Sequence, residues 1–230
     1  MSNKLVINSD NRLQEMRENF AGSQPLALRV IAKIISYLLH PVFVPVYVVW
    51  FMVYIHPYLF AGFSWVDKRN VLLQAFLMYT FFPVITILLL KGLKFISSIQ
   101  LKTQKDRIIP LIGCATWYFW IWNVWNNLPD YPREARVLAL AIWIASSLAL
   151  MANIVMKISL HAIAAGVSLM FLVLLGFSQN IYFGMYVAVA LLLTGIVCTA
   201  RFLDSDHNPQ EIYSGLALGI ATQVIIWWLA

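Results

Sequence analysis

The feature that most limits what this chain can fold into is a set of long, uncharged apolar runs. VLLQAFLMYTFFPVITILLL at 71–90 and VLALAIWIASSLALMANIVM at 137–156 contain no Asp, Glu, Lys or Arg. About 20 such residues in succession are what an α-helix needs to cross the hydrocarbon of a bilayer. Comparable runs at 42–60, 108–125, 161–177, 181–200 and 212–229 predict an all-α, polytopic transmembrane helical bundle of about six or seven spans. A membrane β-barrel is excluded, because its strands are short and alternate in polarity, whereas these runs are apolar throughout.

Composition agrees. The 230 residues are 61% hydrophobic and 11% charged, where a water-soluble domain carries about 25% charged residues. The first 25 residues are polar and have no apolar run or small-residue cleavage site, so they do not read as a secretory signal peptide. The next stretch, LALRVIAKIISYLL at 26–39, spaces Arg29 and Lys33 about one helical turn apart among aliphatics and predicts an interfacial amphipathic helix. Without repeats or long linkers, the chain divides into residues 1–40, a polar tail with that helix, and residues 41–230, one transmembrane domain.

The net charge of +6 does not form a basic patch of the kind that binds nucleic acid. Seven crossings put the tail, the 91–107 loop, the 157–160 junction and the 201–211 loop on one face, with twelve of the sixteen Lys and Arg. The excess predicts that this face is cytoplasmic. If Lys102, Lys105, Arg107, Lys157 and Arg201 serve a site instead, the excess falls to seven against four. Trp117, Trp120, Trp122, Trp125, Trp227 and Trp228 are expected in interfacial belts. Cys114 and Cys198 are expected as buried apolar residues, and His40 and His56, each before a proline, as structural.

All charged residues lie outside the central parts of these spans, which argues against an ion-coupled transporter. Gln74, Ser146 and Asn153 suit interhelical hydrogen bonds, and Gly215 and Gly219 suit close helix packing. Three segments on the tail-side face carry groups suited to phosphate: LKTQKDRIIP at 101–110, KISLHA at 157–162 and ARFLDSDHNPQEIYSG at 200–215. Displacement at a lipid phosphate needs cations for the phosphoryl oxygens, a nucleophile, and an acid for the leaving alkoxide. Arg201 offers a bidentate fork, His207 a nucleophile, and Glu211, one helical turn on, a carboxylate to hold its Nδ1 proton. His161 is the candidate acid. Glu211 also fits a helix start, with Asn208 as N-cap and Pro209 at the first helical position.

These motifs resemble those of the type-2 phosphatidic acid phosphatase superfamily, which shares an active-site plan with the vanadium haloperoxidases. Arg201, His207 and Glu211 match the spacing of the family's last motif, S-R-x5-H-x3-D, with Ala200 for Ser and Glu211 for Asp. Ser159 and His161 match two positions of P-S-G-H, where Ile158 and Leu160 replace Pro and Gly. The first motif, K-x6-R-P, is represented only by Lys102, Lys105 and Arg107, with Pro110 displaced. Two spans separate each segment from the next, so parity brings all three to one face.

The resemblance implies a metal-independent phosphatase of lipid monoesters or diphosphates: phosphatidate, phosphatidylglycerophosphate or polyprenyl diphosphate. In this reading His207 is the nucleophile, Glu211 orients it and His161 is acid and then base, while Arg201, Arg107, Lys105 and Ser159 surround the phosphate. No cofactor or metal is expected. The partners are the bilayer and a lipid phosphate, and the sequence does not indicate an oligomeric state. Many bacterial members of the resembled family work on the outer face of the inner membrane, against the charge count. Three alternatives remain open: a phosphotransferase using an alcohol acceptor, a non-catalytic protein that binds or moves an anionic lipid, and a metal site built from Asp204, Asp206, His207 and Glu211.

Overall fold

A computed structural model describes residues 4–7, 13–16, 25–101, 103–179, 182–204 and 208–230. In the tail, β1 (Lys4–Ile7) and β2 (Leu13–Met16) pair as an antiparallel hairpin with Lys4 opposite Met16. The described residues that follow are helical, joined by turns. In chain order the helices are α1 (Leu26–Leu38), α2 (Val44–Trp50), α3 (Trp65–Phe76), α4 (Phe82–Gly92), α5 (Gln104–Asn126), α6 (Arg133–Val155), α7 (Leu160–Ser178), α8 (Gly184–Asp204) and α9 (Pro209–Leu229). A π-helical turn at Phe51–Ile55 extends α2, and another at Leu77–Phe81 joins α3 and α4 into one rod from Trp65 to Gly92. Pro83, which has no N–H to donate one turn back, follows that second π turn, where the altered bonding absorbs the missing donor.

Among the described residues six helices are long and apolar enough to cross a membrane: the Trp65–Gly92 rod and α5 to α9. The span expected at 42–60 is shorter, an apolar helix over Val44–Ile55, about 18 Å long at 1.5 Å per residue. Its end follows from His56-Pro57: a residue before proline is pushed out of the helical region, and His56 is extended at φ −69° and ψ 128°. The chain still reaches the far end of the bundle. There the His56 ring lies 5.8 Å from that of Phe183, and Phe60 lies 6.2 Å from Tyr131. The parity that gathers the three motif segments at one end is therefore kept.

The closest helix pair is α7 with α9. A Cβ on Gly215 would sit 2.7 Å from the Ser159 carbonyl oxygen, and one on Gly166 would sit 2.5 Å from that of Leu216. Only glycine permits this approach, and between membrane helices such van der Waals contact, not expulsion of water, is the main source of adhesion. Elsewhere Gln74 accepts hydrogen bonds from the Trp125 indole at 2.9 Å and the Tyr131 hydroxyl at 3.1 Å. Trp125 is wholly buried and Trp227 nearly so, so these two are core residues and not members of an interfacial belt. Trp117 stacks on Phe82, and Trp122 on Trp143, while Trp120 and Trp228 remain exposed. Cys114 and Cys198 are buried free thiols.

The amphipathic helix α1 is docked on the bundle. Its buried residues are the small Ala32 and Ser36, one turn apart, and the groove it forms with α8 is lined from Ala188 to Leu203, roughly four turns of that helix. Leu26, Leu28, Ile31, Ile34 and Leu38 stay exposed. The division at residue 40 therefore does not separate α1 from the transmembrane domain.

Candidate functional site

The site is assembled from helix ends. Ser159 caps α7, its hydroxyl accepting from the Ala162 N–H at 3.5 Å, and its own N–H donates to the Glu211 carbonyl at 3.1 Å in the first turn of α9. Gly215, one turn further along α9, allows the two backbones to meet there. The second and third motif segments are thus tied together by main chain.

The first segment is tied to the second by Arg107, in the first turn of α5 and only 6% exposed. Its Nη1 donates to the Ile158 carbonyl at 2.8 Å and its Nε to that of Leu101 at 3.0 Å. Gln104 and Asn153 reinforce the junction by exchanging side-chain bonds to each other's carbonyls, at 3.0 and 2.9 Å. A buried guanidinium is tolerable because its donors are met by carbonyl oxygens. The Glu211 carboxylate and the Arg201 guanidinium both act on Arg107 electrostatically, which places the three charges in one cluster.

Arg201, in the last turn of α8, donates from Nη1 to the Ser36 hydroxyl oxygen at 3.3 Å. The same residue receives His161: Nε2 of the imidazole lies 3.0 Å from the Ser36 carbonyl oxygen. A carbonyl only accepts, so Nε2 carries a proton, and a protonated ring would hold its second proton on Nδ1. His40, in the turn between α1 and α2, stands edge-on to His161 with ring centroids 5.0 Å apart. Burial first, and the Arg201 charge second, push His40 down to about 4, so it is neutral at physiological pH.

These groups surround one end of a cavity of about 380 Å³, within the roughly 300–1,000 Å³ range of small-molecule sites. His40, Arg107, His161 and Arg201 line it. The remaining wall is largely apolar, including Leu111, Cys114 and Tyr118 of α5, Ile142 and Ala145 of α6, and Val167 of α7. From Arg107 to Tyr118 the cavity follows α5 for about 16 Å, so a charged end gives way to an apolar shaft running into the bundle.

Of the residues expected from sequence, Arg107, His161 and Arg201 come together on this wall. Ser159 and Glu211 lie behind it, buried; Ser159 caps α7, and a Glu211 carboxylate oxygen accepts from the Asn208 N–H at 3.2 Å, as a helix-start role requires. Lys105 is exposed on α5 and does not line the cavity. His207 lies outside the described residues, as do Asp206 and Lys102; the helix ends that flank His207, Asp204 and Asn208, belong to α8 and α9. Among the described residues no three His, Cys, Asp or Glu side chains are grouped to hold a metal ion.

Two participants were not identified from sequence, Ser36 and His40. For Ser36 the available signal was the small-residue pair Ala32 and Ser36 at i and i+4, which marks a helix contact face. His40 carried no signal beyond a polar residue between two apolar runs. His56, at the far end of the bundle, accepts backbone bonds from Tyr58 and Leu59 at 3.3 and 3.2 Å, a structural role. No family model, characterised protein or solved structure matches the chain.

Proposed function

We propose that this protein is an integral membrane phosphatase of lipid phosphates that works through a phosphohistidine at His207. The observation that carries the proposal is the convergence of Arg107, His161 and Arg201, from three separate segments, at the charged end of an otherwise apolar cavity. A lipid phosphate has the same division, an anionic head on a hydrocarbon chain. The apolar shaft would take the chain and the guanidinium groups the phosphoryl oxygens, with Arg better suited than Lys to paired oxygens.

In this scheme Nε2 of His207 attacks phosphorus while its Nδ1 proton is held by the Glu211 carboxylate. The P–O bond to the leaving group breaks, and the leaving oxygen, an alkoxide from a monoester or the lipid phosphate from a diphosphate, takes a proton from His161. Water then attacks the phosphohistidine, giving up a proton to His161 and releasing inorganic phosphate. Phosphatidate, phosphatidylglycerophosphate and polyprenyl diphosphate are the substrates to test, with the site at the cytoplasmic face of a bacterial inner membrane.

The test is phosphate release from that panel by the purified full chain, wild type and His207→Ala, in EDTA. Release by wild type, reduced by about 10³-fold or more in the variant, is expected for loss of a nucleophile. Equal release by both proteins would overturn the histidine mechanism. No release by wild type would overturn the phosphatase, and transfer to an added alcohol in its place would identify a phosphotransferase.

A further inference from the structure

We propose that His40 is a headgroup-binding residue of the cavity, presenting its Nε2–H to a phosphoryl oxygen beside His161 and Arg201. The inference rests on the proposed lipid phosphate site and adds to it a residue from outside the three motif segments.

Three observations support it. His40 lines the cavity at the same end as Arg107, His161 and Arg201, with its ring against that of His161. Its tautomer is set by the backbone: the Val42 N–H donates to Nδ1 at 3.4 Å, so the proton of the neutral ring is on Nε2. Finally, burial and the Arg201 charge keep the ring uncharged. A neutral donor has a particular advantage here. Arg107 and Arg201, joined by His161 in its proton-donating form, already supply the positive charge of this end, and a further cation would be repelled by them before the anion arrived. A neutral N–H adds a hydrogen bond without that repulsion.

A merely structural His40 would act through Nδ1, its bond to Val42, whereas a ligand acts through Nε2. The amide of Asn overlays Nδ1 and that of Gln reaches the position of Nε2, so the two substitutions separate the roles. The probe is dodecylphosphonate, a non-hydrolysable single-chain alkyl phosphonate, titrated into the full chain in detergent by calorimetry. His40→Asn should weaken binding by about 10-fold or more, the worth of a hydrogen bond to a charged group, while His40→Gln should stay within a few-fold of wild type. Wild-type affinity in His40→Asn, the reverse order of the two variants, an equal loss in both, or no phosphonate binding by wild type would each overturn the inference.

Phosphate release is read separately. A protein that shows the expected binding pattern yet hydrolyses nothing keeps His40 as a ligand and loses the phosphatase. If the variants do not fold, histidine-labelled wild type decides by NMR. The chain has four histidines, and the Nε2 resonance of His40 should move on phosphonate addition; an unmoved resonance would overturn the inference.

Discussion

The cavity is held from two sides in two different ways. On one side α7 and α9 meet backbone to backbone through Gly166, Gly215 and Gly219, and the Ser159 N–H crosses to the Glu211 carbonyl. On the other, α1 docks through two small residues, Ala32 and Ser36, with Ser36 accepting bonds from His161 and Arg201, and the turn after it is held where the Thr80 hydroxyl donates to the Val42 carbonyl at 2.7 Å. The first side has no room for a Cβ at these glycines, while the second leaves much of its aliphatic surface exposed. The proposed lipid phosphate site would use both: fixed backbone behind the reacting groups, and an adjustable wall past which a lipid would enter.

The largest test of this contrast is Gly219→Val. Its Cβ would collide with the Ile163 carbonyl oxygen and crowd the Val167 nitrogen, both of them main-chain atoms that cannot turn aside. Forcing α7 from α9 should destabilise the protein by about 2–3 kcal/mol, in the range of overpacked cores, and displace His161 and Ser159 together. Thermal unfolding in detergent and phosphate release should both fall sharply. A variant with normal melting and normal turnover would show that the glycine contact is not what fixes the site.

This rigid side was the legible one. Gly215 and Gly219 four residues apart, Arg201 and Glu211 at motif spacing, and His161 two spans upstream each carry a local pattern, and helical parity converts those patterns into one end of a bundle. Arg107 was legible for the same reason, although its two bonds to the Leu101 and Ile158 carbonyls were not. The α1 side was read only as an amphipathic helix. Its part in the site depends on which face of α1 meets α8 and on a turn at His40-Pro41, and neither leaves a periodic trace. The span expected at 42–60 is longer than the Val44–Ile55 helix for a related reason: the apolar run continues past His56, but Pro57 ends the helix there.

A middle-sized effect should come from Ser36→Ala. It removes the hydroxyl that accepts from Arg201 and leaves the carbonyl that receives His161. The loss is one bond to a charged group in a partly buried site, about 1.5 kcal/mol, or roughly 10-fold in kcat/KM. Melting should change little. Paired with Arg201→Lys in a double-mutant cycle, the two losses should be less than additive, because both remove the same contact. Full additivity would mean that Ser36 does not position Arg201, and α1 would then be a neighbour of the site and not part of it.

The smallest effect sharpens the comparison most, because acid should loosen one side only. His40 is held down to about 4 when the turn is docked and returns to an ordinary histidine value near 6.5 when it detaches. Above pH 6.5 the ring is neutral in both states and docking has its full strength. As the pH falls from about 6.5 towards 4, the detached turn binds a proton that the docked turn refuses, so detachment is favoured; below about 4 both states are protonated and the dependence ends. At pH 6 the opening equilibrium should be about 4-fold greater than at pH 7.5 from this group alone. Amide hydrogen exchange, corrected for intrinsic pH dependence, should show that rise across Tyr37–Phe43 and not across α7 or α9, and His40→Gln should abolish it. An equal rise on both sides would mean that the two walls open as one unit, and the division between a fixed side and an adjustable side would fail.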